Sequence, residues 1–117
     1  MTAGIYNATI DQGATWSVTV TYEDSAGAAI DLSGYTAAMQ LRQNYNSDTA
    51  DLTLTTSNGG IAITGPTGTV IVTMTDDQTR VLSEGFYVYD LEITSSGGQV
   101  TRLIQGQLTI AAEVTRV

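Results

Sequence analysis

The chain has 117 residues, of which 42% are hydrophobic and 14% charged, and twelve acidic against four basic side chains give a formal net charge of −8. We expect a single domain over 1–117, since a chain of this length buries about two-thirds of its unfolded surface in one core. The negative charge argues against binding nucleic acid or an anionic membrane surface, and the absence of cysteine and histidine excludes thiolate metal sites and histidine-activated nucleophiles.

The first half of the chain reads as short strands. A strand is predicted over 4–10. Clean alternation over 14–23 puts Trp16, Val18, Val20 and Tyr22 on one inward face. Further strands are predicted over 35–43 and near 51–56, with a polar loop over 44–49 between them.

The second half contains more strands and one helical segment. Asn58, Gly59 and Gly60 form a strong turn signal. The predicted elements after it are strands around 61–63 and 70–74, a short helix over 75–83 that bridges two sheets, and a hairpin over 86–94 and 99–110. Thr75 is the expected helix cap, with Val81 and Leu82 packing inward.

Repeated short strands with turns between them predict an all-β fold: an Ig-like antiparallel β-sandwich of about seven to eight strands. The crossover before the final hairpin resembles an immunoglobulin-type corner. Gly85 precedes Tyr87, the expected corner tyrosine, whose hydroxyl would return to backbone upstream. Tyr89 stands where an antibody domain carries its second cysteine.

Carboxylate chemistry is the main possibility left, and the candidates among the twelve acidic residues are three pairs: Asp48 with Asp51, Asp76 with Asp77, and Asp90 with Glu92. Asp90 and Glu92 share one strand face, so an acid/base pair or a Ca²⁺ site is conceivable. A solvated strand face explains them better, and a helix start explains Asp76 and Asp77 better. We therefore predict no enzyme activity, no cofactor and no metal site.

The remaining candidates concern interfaces. Tyr45, in the 44–49 loop, can stack on a sugar or insert into a partner. Ile71 and Leu103 fall at outward parity and supply apolar contacts. Arg102 falls among inward positions, where its head would pair with a carboxylate, and Arg42, Arg80 and Arg116 are the other basic residues. Strand edges without lysine predict a homo-oligomer or a larger assembly.

Four stretches resemble a family of small structural proteins of tailed bacteriophages: Leu32–Arg42, Gly85–Ile93, Arg102–Gly106 and Glu113–Arg116. They are similar to the Ig-like N-terminal modules of baseplate upper proteins, which anchor receptor-binding fibres, and to short stand-alone virion proteins. Baseplate anchoring proteins continue into a long helix or a fibre-binding domain, so we expect this chain, which stops at Val117, to be the module alone.

The resemblance implies a non-enzymatic virion protein, assembled in the host cytoplasm, that docks onto other virion proteins as an adaptor or a fibre or baseplate component of the tail. A capsid decoration protein is an alternative. A carbohydrate-binding or host-adhesion module that uses Tyr45 is another. Neither a membrane span nor a classical export signal is expected from the sequence.

Overall fold

A computed structural model describes residues 4–114, so Arg116 lies outside the described residues. Over that range the predicted all-β sandwich is confirmed, and it consists of two packed sheets with a helical connection. The strands are β1 (Gly4–Ile5), β2 (Ala8–Asp11), β3 (Trp16–Thr21), β4 (Thr36–Arg42), β5 (Leu52–Thr55), β6 (Ile61–Thr64), β7 (Thr69–Met74), β8 (Gly85–Thr94) and β9 (Val100–Ala111); the helix α1 is Asp76–Arg80, and a 3-10 turn spans Gly65–Thr67.

The larger sheet has the strand order β1-β9-β8-β4-β5, and the smaller sheet has the order β3-β7-β6. The strand β2 also pairs with β9, further along it than β1 does. All pairs are antiparallel except those of β1 and β2 with β9, which are parallel. The expected antiparallel arrangement therefore holds for every pair except the two at the N-terminal edge. The chain passes from one sheet to the other between β2 and β3.

The strand count is nine rather than seven to eight, because the strand expected over 4–10 is divided at Tyr6 and Asn7. A side chain on Gly106 would collide with the Tyr6 carbonyl, which shows how closely the backbone passes there. The Asn7 side-chain oxygen accepts a hydrogen bond of 2.8 Å from the Gln107 backbone N–H. A side chain thus takes the place of a backbone partner at the break.

The core lies between the two sheets and is built by the inward residues of each strand. Alternation places Leu91 and Ile93 of β8 and Val70 and Val72 of β7 inside, all fully buried. The remaining buried hydrophobic residues belong to the same cluster. Tyr87 and Tyr89 are buried, whereas Trp16 and Tyr22, which were expected on an inward face, are half-buried at the margin of the core, as is Tyr35.

The helix begins as expected and ends sooner. Thr75 Oγ1 accepts a hydrogen bond of 3.2 Å from Gln78 N, and Gln78 Oε1 accepts one of 2.9 Å from Thr75 N, which is a capping box. Because the helix has little more than one turn, only Leu82 reaches the core, and Val81 is 78% exposed rather than inward. Between residues 4 and 114, helix length and hydropathy give no candidate membrane-spanning helix.

The corner after the helix contains the expected hydrogen bond: Tyr87 Oη donates to the Ser83 carbonyl at 2.7 Å. Gly85 opens β8 at a φ of 134°, a conformation that L side chains rarely adopt. The corner and the strand order are compatible with the expected Ig-like arrangement.

The register of the final hairpin corrects two predictions. A β-bulge interrupts the β8–β9 pairing: Leu91 pairs with Ile104, but Glu92 pairs with Arg102, so Leu103 is the extra residue. Beyond the bulge the parity of β9 reverses. Leu103, expected outside, is only 7% exposed, and Arg102, expected at an inward position, lies on the outside.

Candidate functional site

The candidate site is the outer face of the six-stranded sheet, meaning the surface turned away from the three-stranded sheet. Alternation along β4, β8 and β9 brings polar side chains together on this face. Gln40, Asp90 and Gln105 form one row across three strands, and Arg42 and Val88 pair in the next row. The rows are fixed by backbone hydrogen bonding, so the face is a rigid platform.

A three-residue charge cluster occupies the middle of the outer face. Arg102 Nε lies 3.4 Å from Asp90 Oδ2, and an Arg102 Nη atom lies 4.0 Å from Glu92 Oε2. Arg102 also donates to Gln105 Oε1 at 3.0 Å. The expected pairing of Arg102 with a carboxylate therefore occurs, although on the outer surface. All three charged side chains are about half-exposed, so water screens the pairs strongly.

Arg42 fixes the loop that carries Tyr45. Its guanidinium donates to the Ser47 carbonyl at 2.8 Å and to Gln40 Oε1 at 2.7 Å. Within the loop, Asn44 Oδ1 accepts a hydrogen bond of 3.0 Å from the backbone N–H of Asn46. Tyr45 thus stands at the tip of a turn that is tied to β4, and 80% of its surface is exposed.

Apolar side chains surround this loop. Tyr45 and Val88 line two neighbouring shallow depressions, one extending to the charge cluster and the other to Ile5 and Gly106. Ile5 is 76% exposed, and Phe86, at the start of β8, is 68% exposed. The depressions are open and shallow, so they fit a broad, flat contact better than an enclosed small molecule.

The spacing of the carboxylates in the described residues determines whether they could hold a metal ion together. No group of three or more acidic side chains between residues 4 and 114 is placed to hold a metal ion. Asp76 and Asp77 lie in the first turn of α1 and pair with Arg80 at 3.8 and 2.9 Å, as expected for a helix start. Asp51 lies near Tyr87, where burial first and this carboxylate second raise the pKa of the tyrosine.

The structure separates the predicted interface residues. Tyr45 belongs to the outer face, Leu103 is in the core, and Ile71 lies half-buried on the opposite surface of the molecule, on β7. Sequence reasoning missed Phe86 and Val88. The signal was present, because both occupy outward positions of β8, where a solvated strand carries polar residues.

No protein-family model matches this chain, and no curated protein matches it. Any proposed function therefore rests on the geometry of the outer face. Its main features are exposed apolar side chains at Ile5, Tyr45 and Phe86 beside a polar centre on a rigid sheet.

Proposed function

We propose that this chain is a non-enzymatic structural protein of a tailed-phage virion, an adaptor or a fibre or baseplate component, that binds another virion protein through the outer face. The observation that supports this most is the grouping of Tyr45, Phe86 and Ile5, each more than two-thirds exposed, around one sheet surface. Large apolar side chains gathered beside polar groups are typical of protein interfaces.

Such a face would gain binding energy mainly from its exposed apolar side chains. Burying apolar surface contributes about 25 cal/mol per Å², and only the surplus over the entropy cost of association appears as affinity. Aromatic side chains are enriched among the residues that supply this surplus. The hydrogen bond from Arg42 to the Ser47 carbonyl fixes the loop that carries Tyr45 before a partner binds. The charge cluster around Asp90 would lie in or near the contact and favour a partner with matching charges.

The test is binding of the purified chain to separated tails and capsids of the phage that encodes it, followed by cross-linking to identify the contacting protein. We expect Tyr45→Ala and Phe86→Ala to weaken binding to tails by roughly tenfold or more each. Ile71→Ala is the control, since Ile71 is an apolar residue of β7 that lies on the opposite surface of the molecule.

The outcomes of that experiment distinguish a tail protein from a capsid decoration protein. Binding to capsids instead of tails would support the decoration alternative. Binding to neither particle, or binding that Ile71→Ala weakens as much as Tyr45→Ala does, would contradict the proposal.

One observation favours a second candidate, a carbohydrate-binding module. Tyr45 stands beside a depression that Gln40, Asp90 and Glu92 line with hydrogen-bonding groups. An aromatic ring next to such groups suits a sugar, whose apolar face stacks while its hydroxyls bond. Glycan-array binding that Tyr45→Ala abolishes and Tyr45→Phe retains would support this candidate over the structural one.

A further inference from the structure

The edge of the three-stranded sheet formed by β3 has unpaired backbone groups. The Tyr22 N–H donates to the Gly68 carbonyl at 2.8 Å, which continues the β3–β7 ladder. In an antiparallel ladder every second residue bonds to the same neighbour. The even-numbered residues of β3 therefore bond to β7, and the N–H and C=O groups of Ser17, Thr19 and Thr21 point to the open side.

Nothing in residues 4–114 covers that side. β3 is the last strand of its sheet, and the backbone N–H and C=O groups of Ser17, Thr19 and Thr21 have no backbone partner in the described chain. The side chains of the same three residues are exposed. The edge is six residues long and contains no charge, no proline and no bulge. Such an edge is a template for another strand.

Each of the other edges of the two sheets is capped, short or interrupted. The Asn58 side chain donates to the Thr53 carbonyl at 3.1 Å and accepts from the Thr55 N–H at 2.9 Å, so it occupies the edge of β5. The β6 strand has only four residues and runs into the turn that contains Pro66. The edge formed by β1 and β2 is broken at Tyr6 and Asn7. Only β3 among the described edges is long and unprotected.

The inner side of β3 also indicates that another strand can be added beside it. Trp16, Val18 and Val20 are only half-buried, whereas their direct partners on β7 are fully buried. The difference arises because β7 has a strand on each side and β3 has one. A strand added beside β3 would cover apolar surface as well as bond the backbone.

We propose that the added strand is β3 of a second copy of this chain, running antiparallel about a two-fold axis. Thr19 then lies opposite Thr19 of the second copy, Ser17 lies opposite its Thr21, and Thr21 lies opposite its Ser17. These three residue pairs are all of the hydrogen-bonded kind and supply about six backbone bonds. The two small sheets become one continuous sheet, with threonine and serine pairs across the seam.

The edge suits a second copy because it is uncharged and self-complementary about Thr19, and charge favours the antiparallel direction of pairing. With a net charge of −8, two copies repel each other over most of their surfaces, and β3 supplies an uncharged contact. Antiparallel pairing centred on Thr19 places Glu23 opposite Thr15 of the other copy. Parallel pairing would place Glu23 beside Glu23, which is unfavourable. The inference does not depend on what the outer face binds.

The test measures the monomer–dimer equilibrium of the full chain by sedimentation. We expect the native chain to dimerise, and Thr19→Glu or Thr19→Lys alone to raise the dissociation constant by about tenfold to a hundredfold, since each places like charges together at the two-fold axis. An equimolar mixture of the two variants should recover a dimer, because the facing charges are then opposite. Ala62→Glu and Ala62→Lys are the matched controls: Ala62 is exposed on β6, one strand beyond β7.

A further variant tests the backbone directly. Thr19→Pro removes an N–H that faces the open edge, so it should abolish the dimer while circular dichroism shows a folded monomer. A native chain that stays monomeric up to about millimolar concentration, a level that detects even weak association, would overturn the proposal. A dimer that all three Thr19 variants leave unchanged, or a mixture that fails to recover it, would do so as well.

Discussion

The hydroxyl of Tyr89 donates a hydrogen bond of 2.7 Å to the carbonyl oxygen of Tyr6, which lies 83 residues earlier in the chain. Tyr89 is on β8 and pairs with Gly106 of β9, and the N-terminal segment passes directly over that glycine. Because Gly106 has no side chain, the phenol can reach the segment on the far side of β9. The contact ties the break between β1 and β2 to the centre of the sheet.

The first prediction concerns alkaline pH. Burial, with Tyr6 nearby as the smaller cause, raises the pKa of Tyr89 from 10.0 to about 12. The unfolded state therefore loses this proton at lower pH than the folded state does. Its contribution to stability is complete below pH 10 and is lost as the pH rises toward 12. Denaturant unfolding over this range should show a falling free energy of unfolding.

Tyr89→Phe is the control for that slope. The variant removes the titrating group, so its free energy of unfolding should fall less steeply over the same pH range. A residual slope is expected because the pKa of Tyr87 is also raised. Equal slopes in the native chain and in Tyr89→Phe would contradict the assignment.

The second prediction concerns the corner tyrosine. Tyr87→Phe leaves the ring in the core and removes the hydrogen bond to the Ser83 carbonyl. We expect the free energy of unfolding to fall by about 1–2 kcal/mol. Tyr45→Phe, at an exposed loop position, should change it by less than about 0.5 kcal/mol. Equal effects of the two variants would show that the corner bond does not stabilise the fold.

The third prediction concerns Thr79, the fully buried polar residue of α1. Its hydroxyl donates to the Ala14 carbonyl at 2.8 Å and accepts from the Gly13 N–H at 3.0 Å, so it joins the helix to the turn between β2 and β3. Thr79→Val preserves the shape but leaves both backbone groups unsatisfied. We expect a loss of about 2–3 kcal/mol in chemical denaturation.

Thr73→Val is the matched comparison. Thr73 is half-buried on β7, and its hydroxyl contacts only the exposed Ser17 hydroxyl, at 3.3 Å. The variant should lie within about 0.5 kcal/mol of the native chain. A Thr79→Val protein as stable as Thr73→Val would mean that water replaces the buried hydroxyl.

The fourth prediction concerns the charge cluster of the outer face. Asp90→Asn and Arg102→Gln each remove one partner of a half-exposed ion pair. We expect each to change the free energy of unfolding by less than about 1 kcal/mol, and high salt to reduce the difference further. A loss of several kcal/mol from either variant would indicate a desolvated pair and contradict the description of a solvated face.

Local patterns predicted much of the fold. Alternation located β3, β4 and β8, because each has one face on the core and one outside. The spacing of Gly85 and Tyr87 indicated the corner, and the cap at Thr75 followed from the residues beside it. Tyr45 was recognisable as exposed because it lies in a polar loop.

Non-local choices could not be predicted. The bulge at Leu103 reverses the parity of β9 and depends on which residues of β8 lie opposite, a relation that the local pattern of β9 does not contain. The parallel pairing of β2 with β9 joins residues about 100 positions apart. In the sequence Phe86 and Val88 resemble other strand residues, and only the assembled sheet shows that they lie on the outer face.

The parallel pairing of β2 with β9 has a mechanical consequence. Ala8 pairs with Leu108 and Asp11 with Ala111, so the two strands lie side by side and point the same way. Tension that pulls residue 4 and residue 111 in opposite directions loads these bonds in shear, all at once, rather than opening them one by one. Forced unfolding is governed by the unfolding rate, so resistance to stretching depends on how fast these β2–β9 hydrogen bonds break together. The β2–β9 pairing is therefore the part of the fold that resists tension along the strand direction.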